Sequence, residues 1–194
     1  MYEFEKKLLL TEEEYQVLLM YFGRDLSTEK QINYYFDTDD YSMNQKGITC
    51  RIRYKNGKYR ATMKSHQVLS DDCSIESDSD VQNGLEKNCF TDMGLTLQGS
   101  LTTERTVVLK NASYEMILDR NRYLGEIDYE LEIEYPDGGQ HQATQLMEKV
   151  CEILLKNCRT TTIRSIRERM KQNRCKSRRF FEKKQAGSSC SRQN

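Results

Sequence analysis

Tyr129-Glu130-Leu131-Glu132-Ile133-Glu134-Tyr135 alternates strictly between acid and apolar residue. Side chains alternate across a β-strand, so the three glutamates share one face and Tyr129, Leu131, Ile133 and Tyr135 share the other. The same period recurs elsewhere with different charges. Tyr2 to Lys7 sets Glu3, Glu5 and Lys7 opposite Tyr2 and Phe4. Ile48 to Tyr54 sets Arg51 and Arg53 opposite Cys50, Ile52 and Tyr54, and Tyr59 to Lys64 sets Lys64 opposite Tyr59, Ala61 and Met63.

Each strand taken singly fits a half-exposed antiparallel sheet with its charges in water. Taken together they fit it less well, because one face is purely acidic and another purely basic, whereas solvated faces mix signs. The alternative is a closed barrel whose charged faces turn inward and whose apolar faces are covered by helices. Carboxylates crowded inside a barrel repel unless arginines or a divalent cation offset them. That inventory suits a polyphosphate: Mg²⁺ or Mn²⁺ takes oxygen ligands, while Arg and Lys neutralise phosphate oxygens.

Two helices are expected to do the covering. Thr11 with Glu14 makes a capping box ahead of the stripe Tyr15, Leu18, Leu19, Phe22. Leu146, Val150, Ile153 and Leu154 make a second stripe in a helix over 141–156, after the turn Pro136 to Gly139. Residues 104–135 read as strands. Only one proline interrupts the chain, which favours long uninterrupted strands. Between them, 65–100 carries Asp71, Asp72, Glu76, Asp78 and Asp80 with little apolar periodicity, and is expected to be a lid-like insertion.

Composition agrees with a polar interior. An apolar content of 37% is low for a single domain of 194 residues that must cover both faces of its sheet. Thirty basic and 30 acidic side chains cancel, so no global field selects a membrane or nucleic acid. The charges are nevertheless segregated. From Arg164 onward 11 are basic and 2 acidic, leaving 19 basic and 28 acidic in 1–163. The last segment, 171–194, is expected to be a disordered basic tail that contacts nucleic acid or the acidic lid and speeds the arrival of anionic substrates. A charged stretch from Met1 to Lys7 and the lack of a long apolar run predict a cytoplasmic protein with no membrane partner. Seven cysteines without C-x-x-C spacing are expected to be reduced and structural, and His66 and His141 to lie at the surface.

Glu3-x-Glu5-x-Lys7 resembles the signature of the CYTH, or triphosphate tunnel metalloenzyme, superfamily. The ordered series that follows makes the resemblance specific: Arg51-x-Arg53, Lys64, Arg105, Asp119 and the acidic strand Glu130 to Glu134. It covers 1–170, with spacing nearest to small bacterial triphosphatases. The resemblance implies an α+β protein built on an eight-stranded antiparallel closed barrel, with helices outside and at the C-terminal end. It implies metal-dependent hydrolysis of a small-molecule linear triphosphate, inorganic triphosphate first, with Mg²⁺ or Mn²⁺ as cofactor. Alternatives are a thiamine triphosphatase, a class IV-type adenylyl cyclase, or a non-catalytic binder of polyphosphate or nucleotides. By the same resemblance Arg51, Arg53, Lys64, Arg105 and Lys7 bind phosphate, with Lys7, Glu5 and Arg53 catalytic. Glu3, Glu5, Glu132 and Glu134 bind metal, Glu130 sharing their parity as a competing member, and Asp119 binds metal or orients an arginine. Relatives often close the tunnel with a lysine or Ser-Lys pair on the C-terminal helix. Here Arg164 or Arg167 is expected to stand in.

Overall fold

The computed structural model describes residues 2–23, 26–65, 73–81, 84–171 and 174–190, the side chains of 188–190 excepted. Its eight strands are β1 (Tyr2–Leu10), β2 (Thr28–Asp37), β3 (Ile48–Lys55), β4 (Lys58–Ser65), β5 (Cys73–Val81), β6 (Thr96–Lys110), β7 (Glu115–Tyr123) and β8 (Glu126–Tyr135). They close into an antiparallel barrel in the order β1-β5-β4-β3-β2-β6-β7-β8, with β8 returning to β1. The helices are α1 (Glu12–Phe22), α2 (Ser42–Gln45), α3 (Cys89–Asp92), α4 (Gln140–Asn157), α5 (Ile163–Lys171) and α6 (Lys176–Cys190). The expected closed barrel, inward charges and both amphipathic helices are present.

Local chemistry explains the turns. Asn56-Gly57 joins β3 to β4 with φ of 51° and 77°, the left-handed pair that a two-residue hairpin between right-twisted strands requires. The capping box forms as expected: Thr11 Oγ1 accepts from the Glu14 amide, and Glu14 Oε2 accepts from the Thr11 amide at 2.8 Å. Because hydrocarbon points outward on these strands, the helices must cover it. α1, α4 and α5 pack Tyr15, Leu18, Leu146, Val150, Ile153, Leu154 and Ile166 onto Leu8, Met116, Leu118, Leu131 and Ile133. On the opposite wall, Phe90 and Leu95 cover Phe36, Cys50, Ile52 and Ala61.

Glu14 does a second job. Its fully buried carboxylate also accepts from Thr161 Oγ1 at 2.5 Å and from Arg169 Nη2 at 2.6 Å, and Arg169 Nε reaches the Leu9 carbonyl. This clamps the start of α1 to α5 across more than 150 residues of chain. Arg169→Ala leaves a buried carboxylate without its cation, so a loss of about 3 kcal/mol is expected, read from the urea midpoint.

Two sequence expectations are corrected. The segment 65–100 is not a lid-like insertion where it is described: 73–81 is a full barrel strand hydrogen-bonded to both β1 and β4, and β6 begins at Thr96. It lacks apolar periodicity because Ser74 and Glu76 face a wet interior while Asp78 and Asp80 lie at the outer end of the strand. Nor is 171–194 a disordered tail over its described part. α6 packs on the barrel, burying Phe180 and Phe181 against Tyr35, Leu101 and Tyr123. Gly99, at a strand irregularity, makes room for it, since a Cβ there would lie 2.8 Å from the Phe180 ring. His141 is exposed, His66 and the side chain of Cys190 lie outside the described residues, and the six described cysteines are thiols outside any disulfide. No helix among the described residues is long and apolar enough to cross a membrane.

Candidate active site

The strand period carries the charges into one narrow cavity of about 80 Å³ along the barrel axis. Glu3, Glu5, Lys7, Arg51, Arg53, Lys64, Arg105, Glu132 and Glu134 all line it, so nine of the expected site residues meet there. Asp119 and Glu130 lie just behind the wall, fully buried. Register explains the meeting: Glu5 stands opposite Glu134 and Lys7 opposite Glu132 across the β1/β8 ladder, and Arg105 opposite Asp119 across β6/β7.

The acids divide into two groups. Glu3, Glu5 and Glu134 bring one carboxylate oxygen each to within 4.8 Å of one another, the one such cluster among the described residues. Burial, Glu132 and the other two acids push Glu134 up to about 7 although Arg105 opposes them, which marks a site short of positive charge. An all-oxygen set short of positive charge fits a hard divalent cation. Lys64 pairs with both Glu3 and Glu5, the latter at 3.2 Å.

Glu130, Glu132 and Asp119 are committed to cations of the protein instead. Arg105 holds Asp119 through two donors, at 3.0 and 2.6 Å, and also pairs with Glu132. Lys176 Nζ sits between Asp119 at 2.8 Å, Glu130 at 3.1 Å and Glu132 at 2.5 Å. Arg179 Nη2 pairs with Glu130 at 2.9 Å. Although burial disfavours their charged forms, Arg179 and Lys176 hold Glu130 down at about 2, and Lys176, Lys7 and Arg105 hold Glu132 well below the usual carboxylate range. Lys7 bonds Glu5 at 2.8 Å and Glu132 at 3.3 Å, and these acids outweigh burial to keep its ammonium firmly charged. Of the expected metal ligands, the structure therefore brings together Glu3, Glu5 and Glu134, and sets Glu130, Glu132 and Asp119 apart.

The opposite wall is cationic. Arg53 makes no ion pair among the described residues; its Nε donates to Asn33 Oδ1 at 3.1 Å. Arg51, burial and Arg105 lower its basicity to about 10. Arg51 has its Nη2 on Glu76 at 3.3 Å, while its buried Nε has no hydrogen-bond partner. Two adjacent guanidiniums turned to a cavity with so little compensation form a receptor for an anion.

Sequence reasoning missed Glu76, Lys176, Ser177 and Arg179. The helical spacing of Lys176, Arg179 and Lys183 around Phe180-Phe181 was the signal for the three on α6. Arg164 and Arg167 do not close the tunnel: both are exposed on α5, and Arg164 pairs with Glu168 on its own helix. α6 takes that position, with Lys176 on the acids and Ser177 Oγ 2.7 Å from Thr49 Oγ1.

Comparison with known proteins bears on this architecture. The profile of the CYTH domain matches residues 1–165. YjbK of Bacillus subtilis (strain 168), provisionally named a triphosphatase, is 32% identical over 166 residues, which are 77% of this chain and 85% of that protein. Two solved structures share the fold. One, from Bacillus halodurans and provisionally named an adenylate cyclase, superposes with a TM-score of 0.66 at 24% identity, covering 92% of this chain and 97% of that one. The other is HpAC1 from Hippeastrum, provisionally an adenylyl cyclase and described as having a dominant triphosphatase activity. Its TM-score is 0.62 at 21% identity, over 86% of this chain and 95% of that one.

Proposed function

We propose, from the premise that this chain belongs to the CYTH domain family, that it hydrolyses a linear triphosphate, with inorganic triphosphate the leading substrate and Mg²⁺ or Mn²⁺ the cofactor. The observation that carries this reading is the polarity of the cavity: two arginines with little ion pairing on one wall face three glutamates gathered on another. A polyanion with a divalent cation completes both.

Phosphoryl transfer to water needs little covalent help; it needs an in-line geometry and positive charge around the transferred group. Glu3, Glu5 and Glu134 would hold the metal ion, which when bound supplies positive charge to the phosphate oxygens. Arg51 and Arg53 donate to those oxygens from the opposite wall. Asp119, with both oxygens on Arg105, fixes that guanidinium so that it faces the cavity without reorganising. Lys7, kept charged by Glu5 and Glu132, adds a point charge beside the phosphate chain. Lys64 neutralises Glu3 and Glu5 until substrate and metal enter.

Phosphate release by the purified protein from inorganic triphosphate, ATP and thiamine triphosphate, each with Mg²⁺ or Mn²⁺, tests this. Fast release from inorganic triphosphate that stops on adding a chelator is expected. Cyclic AMP from ATP would identify a cyclase instead, and no product from any of the three would overturn the proposal.

A further inference from the structure

Barrel register gives most of the cations that the strands bring to the cavity an acid on a neighbouring strand. Lys7 stands opposite Glu132, Lys64 opposite Glu76 and Arg105 opposite Asp119. Residues opposed across a ladder share one face, so each pair meets inside, at 3.3, 3.4 and 2.6 Å. β3 is the exception. Arg51 stands between Tyr35 of β2 and Thr62 of β4, and Arg53 between Asn33 and Arg60. None of these neighbours is a carboxylate, and Arg60 is largely exposed with its Nε 3.7 Å from Asp80.

The inner face of β2 is neutral where it borders these arginines. It sends Gln31, Asn33 and Tyr35 into the cavity between β3 and β6, all three buried and all three uncharged. Asn33 is 1% exposed, and its Oδ1 accepts from Arg53 Nε at 3.1 Å. With no acceptor at this point, the long Arg53 side chain would be free to turn among rotamers. A carboxylate would hold it as well and cancel its charge. The carboxamide oxygen holds the inner nitrogen and leaves the net charge and the other N–H donors to the cavity. Asn and Asp have the same shape, so the difference between them here is one of charge alone.

We infer that Asn33 is a positioning residue for anion binding, one that aims Arg53 at the cavity while withholding the negative charge that would silence it. This rests on the triphosphate reading of the site. A cation with a resident acid must exchange that partner for a phosphate oxygen, which offsets much of what the new contact contributes. Arg53 has no such partner to give up. Its contact with a phosphate is therefore nearly all gain, and the free protein carries the unpaired charge as lost stability.

Calorimetric binding of inorganic triphosphate, with a chelator present so that no turnover intervenes, is the test, accompanied by a thermal melt of each protein. The natural chain is compared with Asn33→Asp and Asn33→Ala. Asn33→Asp keeps the size and the acceptor and adds only charge. It is expected to bind triphosphate about a hundredfold more weakly while melting about 2–4 °C higher. Asn33→Ala removes the acceptor without adding charge, and is expected to bind within about tenfold of the natural chain and to melt lower. A side chain with only a structural part would lower affinity and stability together in both variants. Unchanged affinity in Asn33→Asp, a melting temperature no higher than the natural one, or an equal loss of affinity in Asn33→Ala overturns the role of Asn33 and leaves the triphosphate site standing. Triphosphate that fails to bind the natural chain removes the arginine wall as its receptor, and the role of Asn33 with it.

Discussion

Arg53→Ala is expected to lower phosphate release on the order of a thousandfold while raising the melting temperature. The two effects share one origin. Arg53 has Arg51 beside it, burial around it and Arg105 across the cavity, and these bring its basicity from the ordinary guanidinium range down to about 10. The folded state thus disfavours the charge that the side chain carries at neutral pH. This destabilising contribution is present in full below about 10 and is relieved as pH climbs from there toward the ordinary guanidinium range. Removing the guanidinium relieves it at every pH, so a gain of about 1 kcal/mol is expected near neutrality, with water filling the vacated part of an already wet cavity. Thermal melting and phosphate release on the same preparation check both halves. A protein that loses activity and stability together would show that Arg53 is part of the scaffold rather than a receptor held ready for an anion.

Glu5→Gln is expected to cost a similar factor in activity, on the order of a thousandfold, and to weaken Mn²⁺ binding by about 10- to 100-fold. Its carboxylate belongs to the one group of three acids among the described residues whose oxygens are placed to share a metal ion. The fold should tolerate the change, because each cation that Glu5 neutralises keeps another partner: Lys7 keeps Glu132 at 3.3 Å, and Lys64 keeps Glu3 and Glu76. Raising the metal concentration should recover part of the lost rate. Lost activity with unaltered Mn²⁺ affinity, measured by titration, would reassign Glu5 from holding the metal to holding Lys7.

The parts legible in the sequence were those governed by period two. Glu3, Glu5 and Lys7, Arg51 and Arg53, and the glutamates of β8 each declared a face, and the resemblance to the CYTH signature supplied the closure that alternation alone does not. Which glutamates belong together was not legible. Glu130, Glu132 and Glu134 are equivalent in spacing, yet Glu134 lies at the mouth beside Glu3 and Glu5, while Glu130 is consumed by Lys176 and Arg179. That sorting depends on a helix more than 40 residues downstream.

Two misreadings came from applying the rules of exposed segments to wet interiors. β5 looked like a lid because a strand lining an aqueous tunnel need not be apolar on its inner face. Lys176 to Lys184 looked like a solvated tail because its charges dominate its two phenylalanines. Read against the acidic excess of 1–163, the same basic residues mark a segment that docks. Their helical spacing gives the face that does so.

The place of β1 in the barrel bears on how the chain is made. It pairs with β5 on one side and β8 on the other, whereas every other early strand finds a partner sooner. During synthesis, the first nine-residue strand is finished before any other and waits longest for its second neighbour, which is not complete until Tyr135. Contacts of such long sequence separation form late and slowly, and until then the unpaired edges of β1 and β8 invite association between nascent chains. Two of the three glutamates of the cation cluster ride on that strand. Metal capture is therefore a property of the finished cylinder, and a chain stalled before its last strand carries two of the three ligands and lacks Glu134.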